Sequence, residues 1–217
     1  MALEKFRDVW TKALDPLVEK LGFMDPNHIS WFSLLVSGTA AYLLATAPRD
    51  SDGGMLLLAG MGLVILAALC DGLDGQIARK HGKDSAYGDF LDHTIDRVVD
   101  IGLLVAIGLN TAFLATPHLG FAAAIATLLG SYMGTQAQSV GLGRNYGGFS
   151  RADRMVVLML GTCFAAIEAM RPSVSIDATL PLIGEVNGFS VVLLISLLGG
   201  GYTFVVRFMT ARKELLE

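Results

Sequence analysis

The stretch CDGLDGQIARKHGKDSAYGDFLDHTIDRVVD, Cys70 to Asp100, lies between two runs of almost pure hydrocarbon, Gly53 to Cys70 and Ile101 to Thr116. An aspartate at the centre of a membrane helix costs about 2.5–3.5 kcal/mol even on lenient insertion scales, so Asp71, Asp74, Asp92 and Asp96 together require compensation by cations or protons. Asp71 and Asp74 are three residues apart on one expected helix, and Asp92 and Asp96 four apart on the next, so each pair shares a helix face. The polar run His81 to Ser85, with Gly82, supplies a turn that folds the second helix against the first. Four carboxylates then converge.

Outward from this segment, Ser30 to Ala47, Leu119 to Gly143 and Val186 to Val206 are also uncharged, and Met155 to Ile167 is a shorter run whose flanking Glu168 and Arg171 can reach an interface. A crossing takes about 20 residues, which predicts six transmembrane helices near 29–47, 54–80, 86–115, 118–141, 152–170 and 187–211. The apolar fraction of 53% exceeds that of soluble domains, about 45–50%, and the mean hydropathy is +0.56. Pro26, Pro48, Pro117, Pro172 and Pro181 fall at or between the helix ends, where a missing amide donor does least damage. The expected fold is an all-α integral membrane protein of one domain, residues 1–217, with a bundle over 29–211.

Before the bundle, within residues 1–25, Phe6, Trp10, Leu14, Val18 and Leu21 recur near helical spacing among Lys5, Arg7, Lys12 and Lys20. That pattern predicts an amphipathic helix on the membrane surface, kinked at Pro16, rather than a cleaved signal. With six crossings, both termini share a side with Lys80, Lys83, Arg144, Arg151, Arg154, Arg212 and Lys213, while the other side receives Arg49 and Arg171. The asymmetry places the termini and the aspartates at the cytoplasmic face of the cell membrane. Cys70 and Cys163 lack metal-ligand spacing and read as packing residues. Gly130 and Gly134 form a small-xxx-small pair that serves either packing within the chain or a dimer interface.

Converging carboxylates hold hard divalent cations, and two such cations form the clamp used for in-line displacement at phosphorus. Oxygen-only ligands favour Mg²⁺ or Mn²⁺, and the absence of a His and Cys cluster argues against zinc. Gly75 and Ala78 remove bulk beside the first pair so that a phosphate can approach the backbone, Arg79 offers a forked charge to it, and Gly88 serves likewise on the facing helix. Alternatively, both glycines simply let the two helices pack closely.

Asp71, Asp74-Gly75, Ala78-Arg79, Gly88, Asp92 and Asp96 resemble the signature of CDP-alcohol phosphotransferases at every position and spacing, over 26 residues. The resemblance implies that an acceptor hydroxyl attacks the phosphorus bearing the lipid alcohol of a CDP-lipid and CMP leaves. It further implies that Asp71, Asp74, Asp92 and Asp96 ligate two divalent cations, that Asp96 is also the general base, and that the protein is a homodimer. Gly75, Ala78, Arg79, Ser85 and Gly88, with Asp71 and Asp74, correspond to the family's CDP-lipid contacts, and so does the stretch from Asn27 to Ser30. Asn27 and Ser30 equally suit helix capping. Asp89 and Asp100 lie outside the signature and are expected to pair with basic residues, Arg97 among them.

Arg144, Arg151 and Arg154 stand beside the same mouth, and the last two share a face at the start of helix five, where they can hold an acceptor's phosphate or simply anchor the helix end. Their Arg-Ala-Asp-Arg run and the preceding glycine-rich loop resemble the branch that uses inositol phosphate, comprising archaetidylinositol phosphate synthases and bacterial phosphatidylinositol phosphate synthases. Ser131 to Gln138 lacks the basic residues of the bacterial members, which favours the archaeal type. Glycerol 3-phosphate remains an alternative acceptor, and the lipid is either diacylglycerol- or archaeol-based. Nucleic acid is not an expected partner. A divalent cation transporter would also need intramembrane aspartates, but it would continue polar positions through Leu56 to Leu69 and Ile101 to Leu114, which are nearly apolar.

Overall fold

A computed structural model describes residues 7–143, 147–181 and 183–217. Its α-helices are α1 (Arg7–Leu21), α2 (Pro26–Thr46), α3 (Ser51–Lys80), α4 (Ala86–Leu109), α5 (His118–Ser139), α6 (Arg151–Met170) and α7 (Gly188–Leu216). A 3-10 turn (Pro172–Val174) and a two-stranded antiparallel hairpin, β1 (Thr179–Leu180) and β2 (Gly184–Glu185), join α6 to α7. Three helices, α2, α3 and α7, are long and apolar enough to cross a membrane. The outer surface is correspondingly greasy, with Leu35, Tyr42, Ile125, Leu160 and Leu198 all exposed.

The helices α2 to α7 close into a ring. α2 packs on α3 and α4, α6 on α3 and α7, and α5 on α4 and α7. Contrary to the expected pairing, α3 and α4 do not pack along their length, because α2 lies between them. Two acidic faces pressed together would repel, and the fork between them instead leaves space for a site.

Small residues let α5 and α7 cross closely. A Cβ at Gly130 would lie 3.1 Å from the Gly200 carbonyl oxygen, and one at Gly200 2.7 Å from the Ala126 carbonyl carbon. A Cβ at Gly134 would meet the Arg207 guanidinium at 2.9 Å. The small-xxx-small pair therefore serves the α5–α7 contact within this chain.

α4 stops at Leu109, six residues short of the expected 115. Asn110 ends it: its side-chain amide donates to the Leu44 and Ala47 carbonyls at 2.8 and 3.0 Å, and its oxygen accepts from Ala112 N. One buried polar side chain thus satisfies the open end of α2, which further turns of α4 would have left unpaired.

α1 also packs on the bundle along part of its length. Leu14 and Val18 are buried with Ile29, Cys70, Leu73 and Ile77, so part of its apolar stripe faces protein. Lys80 pairs with Asp15 and Glu19 at 2.6 and 2.7 Å and closes the contact. Leu3 to Phe6 and the side chain of Trp10 lie outside the described residues.

Candidate active site

Three helix ends build the site. Asp25 caps α2 by accepting from Asn27 N at 2.9 Å, so the cap is neither Asn27 nor Ser30. Ser30 instead turns toward α3 and donates to Asp74 Oδ2 at 2.5 Å. The end of α3 is closed by Lys83 N on the Ala78 carbonyl, with Gly82 at φ 63°, a left-handed bend that favours glycine. Three residues later Ser85 caps α4 by accepting from Gly88 N at 3.0 Å. The polar run read as a turn is thus two helix caps back to back.

Between these ends lies a cleft of ≈ 130 Å³. Asn27 and Ser30 line it from α2, Asp74, Gly75, Ala78 and Arg79 from α3, and Ser85, Gly88 and Asp92 from the start of α4. Lys83, Asp84 and Asp89 also line it, and sequence reasoning assigned them no part. Lys83 and Asp84 were signalled by their position inside the polar turn, and Asp89 lies in the first turn of α4. The Lys83 ammonium donates to the Gly22 and Met24 carbonyls, both at 2.8 Å, and ties the turn to the loop before α2.

Gly75 and Gly88 do not serve close packing of α3 on α4. A Cβ on Gly75 would meet the Arg79 guanidinium at 3.1 Å, and one on Gly88 would meet Ser85 Oγ at 3.2 Å and Asn27 Oδ1 at 3.4 Å. Neither supports a contact between α3 and α4. Both clear room inside the cleft.

Behind the cleft the carboxylates gather. One oxygen from each of Asp71, Asp92 and Asp96 lies within 4.8 Å of the others. Asp74 is one turn further along α3, and its carboxylate is held by Ser30 and by Gly75 N, the latter at 2.5 Å. A carboxylate oxygen has two acceptor positions, so these bonds orient Asp74 and leave it capable of a further ligand bond. Asp96 Oδ1 lies 2.7 Å from Arg151 Nη1 without an aligned hydrogen bond. Three gathered carboxylates, an oxygen-only set, suit a hard divalent cation. The residues present therefore fit such an ion.

Arg151 and Arg154, read from the sequence as sharing one face, both engage carboxylates of the bundle. Arg151 reaches into the cluster, with Nη1 at 2.7 Å from both Asp71 Oδ2 and Asp96 Oδ1, and Nε at 3.5 Å from Asp100 Oδ1. Arg154 binds Asp100 at 2.5 Å and also donates to the Phe149 carbonyl. Asp100 thus pairs with these two arginines and not with Arg97, which sits 3.4 Å from Asp96. Asp89 faces His93 at 3.7 Å. Arg144 lies outside the described residues.

The model for CDP-alcohol phosphatidyltransferases matches residues 23–196 of the chain. The phosphatidylinositol phosphate synthase of Cutibacterium acnes is 32% identical over 164 residues, covering 73% of this chain and 76% of that protein. The archaetidylinositol phosphate synthase of Methanothermobacter thermautotrophicus is 28% identical over 160 residues, covering 74% and 76%. Among solved structures, Mycobacterium tuberculosis phosphatidylinositol phosphate synthase with CDP-DAG bound has the same fold, with a TM-score of 0.69 at 23% identity, covering 90% of this chain and 92% of that one. The same enzyme in complex with manganese and citrate matches with a TM-score of 0.68.

Proposed function

The chain belongs to the CDP-alcohol phosphatidyltransferase family, and from that premise we propose that it transfers the phosphatidyl-type group of a CDP-lipid to a hydroxyl of inositol 1-phosphate and releases CMP. The observation that carries this reading is the continuity of the cleft with the carboxylates. Residues from three helix ends that match the CDP-lipid part of the signature share one cleft, and Asp74 and Asp92 form its inner wall.

In this reading the nucleotide diphosphate enters over Gly75 and Gly88, where no side chain intervenes, and Arg79 supplies a fixed guanidinium to a phosphate oxygen. Asp71, Asp74, Asp92 and Asp96 would hold two divalent cations, Mg²⁺ or Mn²⁺, which would neutralise the diphosphate and the departing CMP. Asp96 takes the proton from the acceptor hydroxyl as its oxygen forms a bond to the phosphorus carrying the lipid alcohol. The bond from that phosphorus to the CMP oxygen breaks. Ser30 keeps the Asp74 carboxylate aimed between α2 and α3 throughout.

For the acceptor, the phosphate ligand we assign first is Arg151. It sits beside Asp96, and its side chain is 26% exposed, so an anion bound to it stands within reach of the base. Arg144 is proposed as a second ligand. Arg154, already committed to Asp100, is the weakest candidate of the three. Names of the relatives support a phosphorylated inositol as acceptor, and glycerol 3-phosphate is the competing choice. We further propose six crossings with the site and termini on the cytoplasmic face of the cell membrane, α1 at that interface, and a homodimer.

Purified protein given CDP-diacylglycerol or CDP-archaeol and Mg²⁺, with inositol 1-phosphate, glycerol 3-phosphate or free inositol in parallel, tests the proposal through CMP release. CMP is expected with inositol 1-phosphate. Release with glycerol 3-phosphate alone would transfer the assignment to that acceptor, and release with free inositol alone would remove the need for a phosphate site.

A further inference from the structure

Asp100 belongs to no part of the signature, yet its side chain is 3% exposed and bears a full pairing with α6. A carboxylate buried in a membrane helix is expensive unless it is matched by a cation, and Arg154 at 2.5 Å supplies one. That pairing alone does not account for the geometry on its other oxygen. Asp100 Oδ1 faces the Nε edge of Arg151 at 3.5 Å, while Asp96, one turn earlier on the same face of α4, faces Nη1 of the same guanidinium at 2.7 Å. Two successive carboxylates of one helix therefore flank two edges of a single planar cation, and Nε has no hydrogen-bond acceptor of its own.

Arg151 and Arg154 occupy the first turn of α6, where the helix dipole is positive and cations are disfavoured. The capping box between Ser150 and Asp153 offsets part of that field. Asp100 offsets more of it from the neighbouring helix. Carboxylates facing two edges of a planar guanidinium bias the direction in which its plane points, which the compact ammonium of a lysine would not allow.

We infer that Asp100 is a positioning residue, which neutralises Arg154 and turns the guanidinium of Arg151 so that its Nη1 edge faces Asp71 and Asp96. Acceptor recognition then depends on a residue that touches neither substrate. This inference rests on the reading of Arg151 as the ligand of the acceptor's phosphate.

The test compares wild type, Asp100→Asn, the double variant Asp100→Asn with Arg154→Gln, and Arg151→Gln, each purified and assayed with CDP-lipid and Mg²⁺. KM for inositol 1-phosphate, KM for CDP-lipid, direct inositol 1-phosphate binding and thermal stability are measured for each. Asp100→Asn is expected to raise the acceptor KM and weaken acceptor binding about tenfold, with the CDP-lipid KM unchanged. The double variant removes the unpaired Arg154 charge, so stability should recover while the acceptor KM stays raised. It also carries the test where Asp100→Asn does not fold. Full recovery of the acceptor KM in the double variant, or equal increases in both KM values, would reduce Asp100 to a counter-charge for Arg154 and overturn the inference. An Arg151→Gln variant with wild-type acceptor KM would overturn the underlying acceptor reading itself, whereas a raised value there beside a normal one in Asp100→Asn sinks the positioning role alone.

Discussion

Gly75 matters for what lies above it. Its Cα sits beneath the Arg79 guanidinium, so a methyl group at this position lands 3.1 Å from Nη1 and displaces the charge that would meet the substrate. Alanine is about 1 kcal/mol better than glycine in a helix interior, while moving a positioning guanidinium costs on the order of tenfold in substrate use. Gly75→Ala should therefore leave thermal stability equal or higher and raise the CDP-lipid KM about tenfold. Steady-state kinetics beside a melting curve checks both signs. Spacing alone could find Gly75 and Gly88, because a family signature is a pattern of residue types at fixed intervals. It could not find the partner of Asp100, because Arg154 lies 54 positions away on a helix whose rotation no local pattern encodes. The inward turn of Arg151 was hidden for the same reason.

At the scale of elements, helix existence was legible from uncharged runs, whereas the caps were not. The stretch read as capping, Asn27 to Ser30, begins past the true cap, Asp25. Asp25, Asp50, Ser85, Ser150 and Asn187 each accept at the start of a helix, and the runs that follow them begin close to where they were expected. The end of α4 was misread because Asn110 caps a different helix from its own, through carbonyls of Leu44 and Ala47. Asn110→Ala removes both bonds and leaves two buried carbonyls unpaired, a loss of about 1–3 kcal/mol. Thermal unfolding in detergent should show that loss with the CDP-lipid KM unchanged, since Asn110 stands at the end of α4 opposite to Asp92. The separation of α3 from α4 by α2 was likewise beyond sequence reasoning, which had only chain proximity to argue from.

For the whole molecule, the polar chemistry divides between two ends of the ring. At the end away from the aspartates, Arg49 grips Glu185 with two hydrogen bonds of 2.9 and 2.6 Å and lies 5.3 Å from the Phe113 ring centre. Nearby, buried Glu168 accepts from Gly188 N at 2.8 Å. The Arg49 hydrogen bonds hold the Glu185 carboxyl below the usual glutamate range. A lowered folded value means that the pairing contributes fully above the unfolded glutamate value, about pH 4.3, and is lost as pH falls through the folded one. Because the pair is partly exposed, its worth is about 0.2–1 kcal/mol. Glu185→Gln should accordingly lower Tm at pH 7 by about 1–3 °C, and the difference from wild type should close in strong acid, as melting curves across pH will register. The aspartate end, in contrast, gathers the charge to which we assign phosphoryl transfer. The most direct test of that division is CMP release from CDP-lipid by wild type and Asp96→Asn, each with inositol 1-phosphate and Mg²⁺, with CDP-lipid binding measured in parallel. Wild type should form one CMP per lipid product and stop when the cation is chelated, while Asp96→Asn should bind CDP-lipid normally and lose activity by a factor of about 10²–10⁴. Turnover in Asp96→Asn equal to wild type, or CMP release by wild type that needs neither acceptor nor cation, would contradict the account.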